Sequence, residues 1–193
     1  MKTSKRSWLL AVILAAATVL SLLPAAVLAA TSYDTSGATT LTFTNSGITA
    51  SVGDYTGYKI DGTALTINGA GTYILKGLCA DGSVTVKKGT TGVTLVLGGL
   101  TLTSADTAPI ACNKSTGVTI VAAAGTVNTL SDSAQNNDDN YPDNENAENA
   151  VIRCKDGSNV VLCGTGTLNV NANGKNGIKS GAATDEEGEA SLT

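Results

Sequence analysis

The stretch from Ala150 to Ser180, AVIRCKDGSNVVLCGTGTLNVNANGKNGIKS, decides how the chain folds. It holds three short apolar runs, Ala150–Cys154, Val160–Cys163 and Leu168–Val170, separated by Asp156-Gly157-Ser158 and by Gly164-Thr165-Gly166. β-Branched residues fit a pleated surface, whereas Gly, Asp and Asn tolerate the positive φ that tight turns require. After Asn171-Ala172-Asn173-Gly174 the pattern starts again at Gly177-Ile178-Lys179-Ser180. The stretch therefore reads as one coil of three strands and the beginning of the next.

Working outward, the same pattern recurs at a fixed distance. Val84 to Ile110 is 110 − 84 = 26 residues, and Ile152 to Ile178 is 178 − 152 = 26. Ile110 to Ile152 and Val118 to Val160 are each separated by 42, so 42 − 26 = 16 residues are inserted between those coils. The insertion is the polar segment from Ser131 to Glu148. Three strand lines follow: Val84, Ile110, Ile152 and Ile178; then Val93–Val96, Val118–Val121 and Val160–Cys163; then Leu100–Leu102, Asn128–Leu130 and Leu168–Val170. Each strand is too short to bury its apolar face alone, so stacked neighbours must complete the core. The expectation is an all-β chain, a parallel β-helix or solenoid with three short strands per coil of about 26 residues. A β-sandwich is the competing arrangement, since short, regularly spaced strands suit it too. Past the N-terminal segment no apolar spacing of three and four persists over several helical turns.

That segment is set apart by composition. Lys2, Lys5 and Arg6 precede an apolar run from Trp8 to Leu23, and Val27-Leu28-Ala29 offers a small residue for cleavage. Residues 1–29 are expected to be a secretory signal peptide, 30–64 an N-terminal cap or linker, and 65–193 the parallel β-helix with an incomplete last coil. The protein is thus expected to be secreted or extracellular, with no membrane partner after cleavage. The signal segment holds three of the 12 basic residues and none of the 16 acidic ones, which leaves 9 − 16 = −7 on the remainder. An acidic chain argues against nucleic acid as a partner. There is no His, which excludes a Ser-His-Asp triad or Cys-His dyad. Tyr33, Phe43, Tyr55, Tyr58, Tyr73 and Tyr141 are too few to build a broad stacking platform for sugar rings. Cys112 and Cys154 fall at equivalent positions of adjacent coils, as stacked buried thiols or as a disulfide.

The order and spacing of Gly71–Gly77, Asp81–Val86, Val93–Leu100, Asn128–Asp132, Asn149–Ile152, Gly164–Val170 and Asn176–Ser180 carry a resemblance. Across about residues 65 to 180 the chain resembles a family of secreted bacterial carbohydrate-binding proteins with a right-handed parallel β-helix, similar in fold to pectate lyases. The resemblance implies binding of a plant cell-wall polysaccharide such as cellulose or polygalacturonate, with calcium held by carboxylates. Members of the family continue for further coils, so a C-terminal part is expected to be missing.

The acidic insertion is the candidate calcium site: Asp132, Asp138, Asp139, Asp143, Glu145 and Glu148 supply hard oxygen donors, of which calcium takes six to eight. Its spacing is not that of an EF-hand, and a solvated acidic loop is the alternative. Asp185-Glu186-Glu187 with Glu189 forms a second acidic run. Arg153, Lys155 and Lys179 fall close to these acids in the register and are the candidate ligand-binding cations; salt bridging to the acidic loops is their other role. Asn128 takes an inward position filled by Leu in neighbouring coils, where bonding to turn backbone would satisfy it. Three functions remain: a non-catalytic, calcium-assisted polysaccharide binder as the leading one, a calcium-dependent polysaccharide lyase, and a cell-surface adhesin or structural solenoid. The oligomeric state is left open.

Overall fold

The computed structural model describes residues 33–51, 57–181 and 191–193. The expected signal peptide and the acidic run from Asp185 to Glu189 lie outside these residues. Within them every regular element is a strand, and the strands form two sheets.

The larger sheet has nine strands. It begins with the antiparallel hairpin β1 (Thr39–Thr44) and β2 (Gly47–Ser51), then runs in parallel from β1 to β5 (Gly71–Cys79), β7 (Val93–Thr103), β9 (Gly117–Ala122), β12 (Asn159–Gly164) and β15 (Ser191–Leu192). Two further members, β10 (Val127–Ser131) and β13 (Thr167–Asn171), attach beside the far end of β7. The second sheet has six strands: the antiparallel hairpin β3 (Tyr58–Asp61) and β4 (Ala64–Ile67), then β6 (Ser83–Val86), β8 (Ile110–Cys112), β11 (Ala150–Cys154) and β14 (Asn176–Ser180) in parallel.

This corrects the expected right-handed parallel β-helix of three short strands per coil. The chain is all-β, but its strands make two mixed sheets, each opening with an antiparallel pair. Two local causes account for the difference. The Gly98-Gly99 pair, which lies between the second and third expected strand lines, sits inside the eleven-residue strand β7, so those two lines fuse into one sheet. The fusion is matched on β5, where the register with β7 shifts between Leu75 and Gly77. Gly77 has φ +99°, and a Cβ there would run into the backbone carbonyl of Phe43 on β1; only glycine lets the strands approach through the bulge. The other cause lies in the short turns at Asn45-Ser46 and Gly62-Thr63, which fold the chain back on itself before the parallel pairings begin.

Register within the second sheet is the one the repeat predicts. Val84 pairs with Ile110, Ile110 with Ile152, and Ile152 with Ile178. Alternation along the strands sends Leu65 and Ile67, Val84 and Val86, Leu95 and Leu97, and Leu100 and Leu102 into one core, each at most 2% exposed. Burying such a side chain contributes roughly 1.5–3 kcal/mol. Cys112 and Cys154 are register partners in that core and are free thiols. The Cys112 thiol is pushed well up, first by its hydrogen bond with Cys154 and then by burial.

Candidate functional site

The insertion between β10 and β11 is anchored to the rest of the fold, although Asp138, Asp139, Asp143 and Glu145 are exposed. Its polar side chains fasten it to the turn that precedes β8. Ser133 Oγ donates to the carbonyl of Ala105 at 2.5 Å and Asn144 Nδ2 to that of Asp106 at 3.0 Å, while the Ala108 amide donates to the Asn146 carbonyl at 3.1 Å. Inside the loop, Asn136 Nδ2 donates to the Ala150 carbonyl at 3.0 Å, and Ala147 is fully buried. Asn and Ser serve here because each can substitute for a backbone partner in an irregular segment.

One carboxylate anchors the end of the insertion. Glu148 Oε2 lies 2.5 Å from Arg153 Nε and 3.5 Å from Lys179 Nζ, and its Oε1 lies 3.4 Å from Lys155 Nζ. The cations come from strand geometry: Arg153 on β11 and Lys179 on β14 are register partners, and Lys155 follows the end of β11. Arg153 and Lys155 are each only 7% exposed and make further bonds. Arg153 Nη1 donates to the carbonyls of Cys154 at 2.7 Å and Lys179 at 3.3 Å, and Lys155 Nζ donates to the carbonyl of Glu145. Burial pulls the Glu148 carboxyl upward, but the hydrogen bond and charge of Arg153, with the charges of Lys155 and Lys179, prevail and hold it below the usual carboxylate range. Beside this cluster lies a polar cleft of about 310 Å³, lined by Asp138, Asn144, Glu145 and Lys179 among others.

The expected site residues thus have different fates. Arg153, Lys155 and Lys179 do come together, around Glu148; Lys179, about two-fifths exposed, is the one that also faces solvent. The six expected calcium donors do not converge. Asp132 is buried; its Oδ1 accepts from the amides of Asn173 at 2.7 Å and Gly174 at 3.1 Å, and its Oδ2 from Asn136 Nδ2 at 3.3 Å. Glu148 is committed to three cations, and Asp138, Asp139, Asp143 and Glu145 are exposed. Among the described residues no group of three or more acidic or cysteine side chains can hold a metal ion. In this arrangement the six carboxylates do not form a shared calcium cage.

The docking of Ser133, Asn144 and Asn146 on residues 105–108 was not read from the sequence. Its one signal is Ala147, an apolar residue close to the end of a mostly polar run.

Asp132 offers a test of these assignments. Removing an acceptor of two turn amides costs about 2–3 kcal/mol. Asp132→Ala is therefore expected to lower the melting temperature by roughly 4–12 °C, given about 2–4 °C per kcal/mol at this chain length. The drop should be equal in calcium and in chelator by differential scanning fluorimetry. A calcium-dependent difference that disappears in the variant would instead make Asp132 a metal ligand.

Comparison with known proteins places this arrangement. No curated protein matches the chain. A solved structure, the polysaccharide lyase-like protein from C. thermocellum as its gadolinium derivative, is similar with a TM-score of 0.62 and 26% sequence identity. The similarity covers 80% of this chain, which spans only 58% of that one. A family model described as carbohydrate-binding domain-containing protein matches residues 61–185. That match runs from the end of β3 through β14 and includes the whole insertion, well over half the sequence, and the chain belongs to the carbohydrate-binding domain-containing protein family.

Proposed function

We propose that this is an exported protein that binds a plant cell-wall polysaccharide without cleaving it. The observation that carries the non-catalytic reading is the Glu148 cluster. A lyase needs an unprotonated base beside the uronate carbon that loses its proton. Arg153 and Lys155 are buried and engaged by Glu148 and by backbone carbonyls, and Lys179 shares the same carboxylate. The site's cations thus hold the loop in place.

Charge selects among glycans. The sequence has a formal net charge of −4, and the insertion adds a concentration of carboxylates at the cleft. A polyuronate would meet like charge there, while a neutral glucan such as cellulose would meet hydrogen-bonding groups without repulsion. Phe43 and Tyr73 are buried in the core and Tyr33, Tyr58 and Tyr141 are partly buried, so the reading relies on contacts through amide, hydroxyl and carboxylate groups more than on ring stacking.

The expected result is co-sedimentation of the protein with insoluble cellulose, with no rise in the ultraviolet absorbance of unsaturated product on polygalacturonate, with or without calcium. Growth of that absorbance would establish the lyase instead. Failure to sediment together with absence of product would favour a structural or adhesive role.

A further inference from the structure

A second cleft lies on the other flank of the insertion, of about 320 Å³ and at the small end for ligand sites. It is bounded by Asp81 and Ser83 at the start of β6, by Ser104 and Asp106 after β7, and by Asn144 and Asn146 of the insertion. The insertion thus forms part of the wall, having been brought there by the Asn144 and Asn146 bonds to residues 106 and 108.

Two polar atoms in this wall have no hydrogen-bond partner. Ser104 is 1% exposed and Asn146 9% exposed, and neither Ser104 Oγ nor Asn146 Oδ1 is bonded within the protein. Their backbones are fixed: the Ser104 amide donates to the Ser131 carbonyl at 3.0 Å, and the Asn146 amide donates to Asn144 Oδ1 at 3.1 Å. Buried polar groups are ordinarily satisfied, so a rigidly held pair beside an open cleft is preorganised for a ligand. Hydroxyls suit both atoms: one can donate its single hydrogen to Asn146 Oδ1 while accepting from Ser104 Oγ, and a neighbouring hydroxyl can donate to Ser104 Oγ. Asp81 keeps one oxygen on the Ala105 amide at 3.0 Å, which steadies the same wall. No Lys or Arg lines the cleft, while two carboxylates do, so the ligand is not an anion.

We propose that this cleft is a subsite for one neutral, hydroxyl-rich sugar residue of the bound polysaccharide, with Ser104 and Asn146 as its specific partners. The assignment rests on the polysaccharide-binding reading above. It adds a location and a preference for uncharged sugar.

Titration calorimetry with cellohexaose on the full chain tests it. Because Ser104 Oγ bonds nothing inside the protein, Ser104→Ala should keep the wild-type melting temperature while binding roughly 5–10-fold more weakly, the loss of one hydrogen bond. Asn146→Ala serves as the second variant, with a similar loss. Unchanged affinity in both variants, with binding by the wild type, overturns the subsite and leaves the general reading standing. Absence of cellohexaose binding by the wild type overturns both. Tighter binding of hexagalacturonate than of cellohexaose overturns the neutral preference. A calcium isotherm removed by Asp106→Asn, with cellohexaose binding unchanged, makes the cleft a cation site and overturns the proposal.

Discussion

Glu148→Gln is expected to lower the melting temperature by roughly 6–12 °C. The substitution keeps shape and removes the charge, leaving Arg153 buried without its counterion and Lys155 with only the exposed Glu145. Removing one partner of a buried pair costs about 3–5 kcal/mol. The Glu148 side chain is 26% exposed, which places the effect near the lower end, about 3 kcal/mol. At about 2–4 °C per kcal/mol for a chain of this size, the stated drop follows. Glu145→Gln is the contrast: that side chain is 76% exposed at 3.7 Å from Lys155, and a surface pair contributes about 0–1 kcal/mol.

The same carboxylate sets an acid limb. Its folded-state affinity for protons is below that of the unfolded chain, so the unfolded state takes up the proton first as pH falls. The stabilisation is complete above the ordinary carboxylate range and is lost as pH drops through that range towards the lower folded value. Wild-type melting temperature should therefore decline on acidification, with a smaller decline in Glu148→Gln. Parallel acid limbs in the two proteins would show that Glu148 does not carry the effect.

The second large effect is expected at Asn128. It is fully buried, and its carboxamide uses both ends: Oδ1 accepts from the amides of Gly99 and Leu100, each at 2.9 Å, and Nδ2 donates to Thr126 Oγ1 at 3.0 Å and the Thr167 carbonyl at 3.1 Å. The side chain closes the gap that β7 opens at Gly98-Gly99 and ties it to β13. Asn128→Leu would match its register partner Leu168 in type but strand two amide donors, at about 1–3 kcal/mol each. A loss of about 2–6 kcal/mol is expected, read as a lower urea midpoint with an unchanged slope. A variant as stable as the wild type would show that apolar fill, not the amide bonds, decides this position.

Strand positions and their register were legible because β-branched runs and a 26-residue spacing encode them directly. Val84, Ile110, Ile152 and Ile178 pair as the spacing requires. How the strands divide into sheets was not legible. A Gly-Gly pair is equally compatible with a corner and with a bulge inside a continuous strand, and only the partner strand β5 decides between them. The hairpins at β1–β2 and β3–β4 were hidden for a similar reason, since weak Thr-rich alternation gives no direction of pairing.

At the insertion, composition pointed to a cluster of metal donors, whereas the folded chain gives two of those acids other partners. Six acids in 17 residues look like metal donors, but Asp132 accepts from turn amides and Glu148 pairs with three cations. Both assignments depend on residues far along the chain, Asn173 and Lys179, which local spacing does not reveal. Ser104 and Asn146 carried no sequence signal at all; what marks them is the lack of a partner once the loop has docked.

We propose that the protein holds a neutral polysaccharide through its own polar groups rather than through a bound metal ion. Co-sedimentation with insoluble cellulose in the presence of excess chelator tests it most directly. The account predicts the same bound fraction as in calcium; release of the protein into the supernatant by chelator would contradict it.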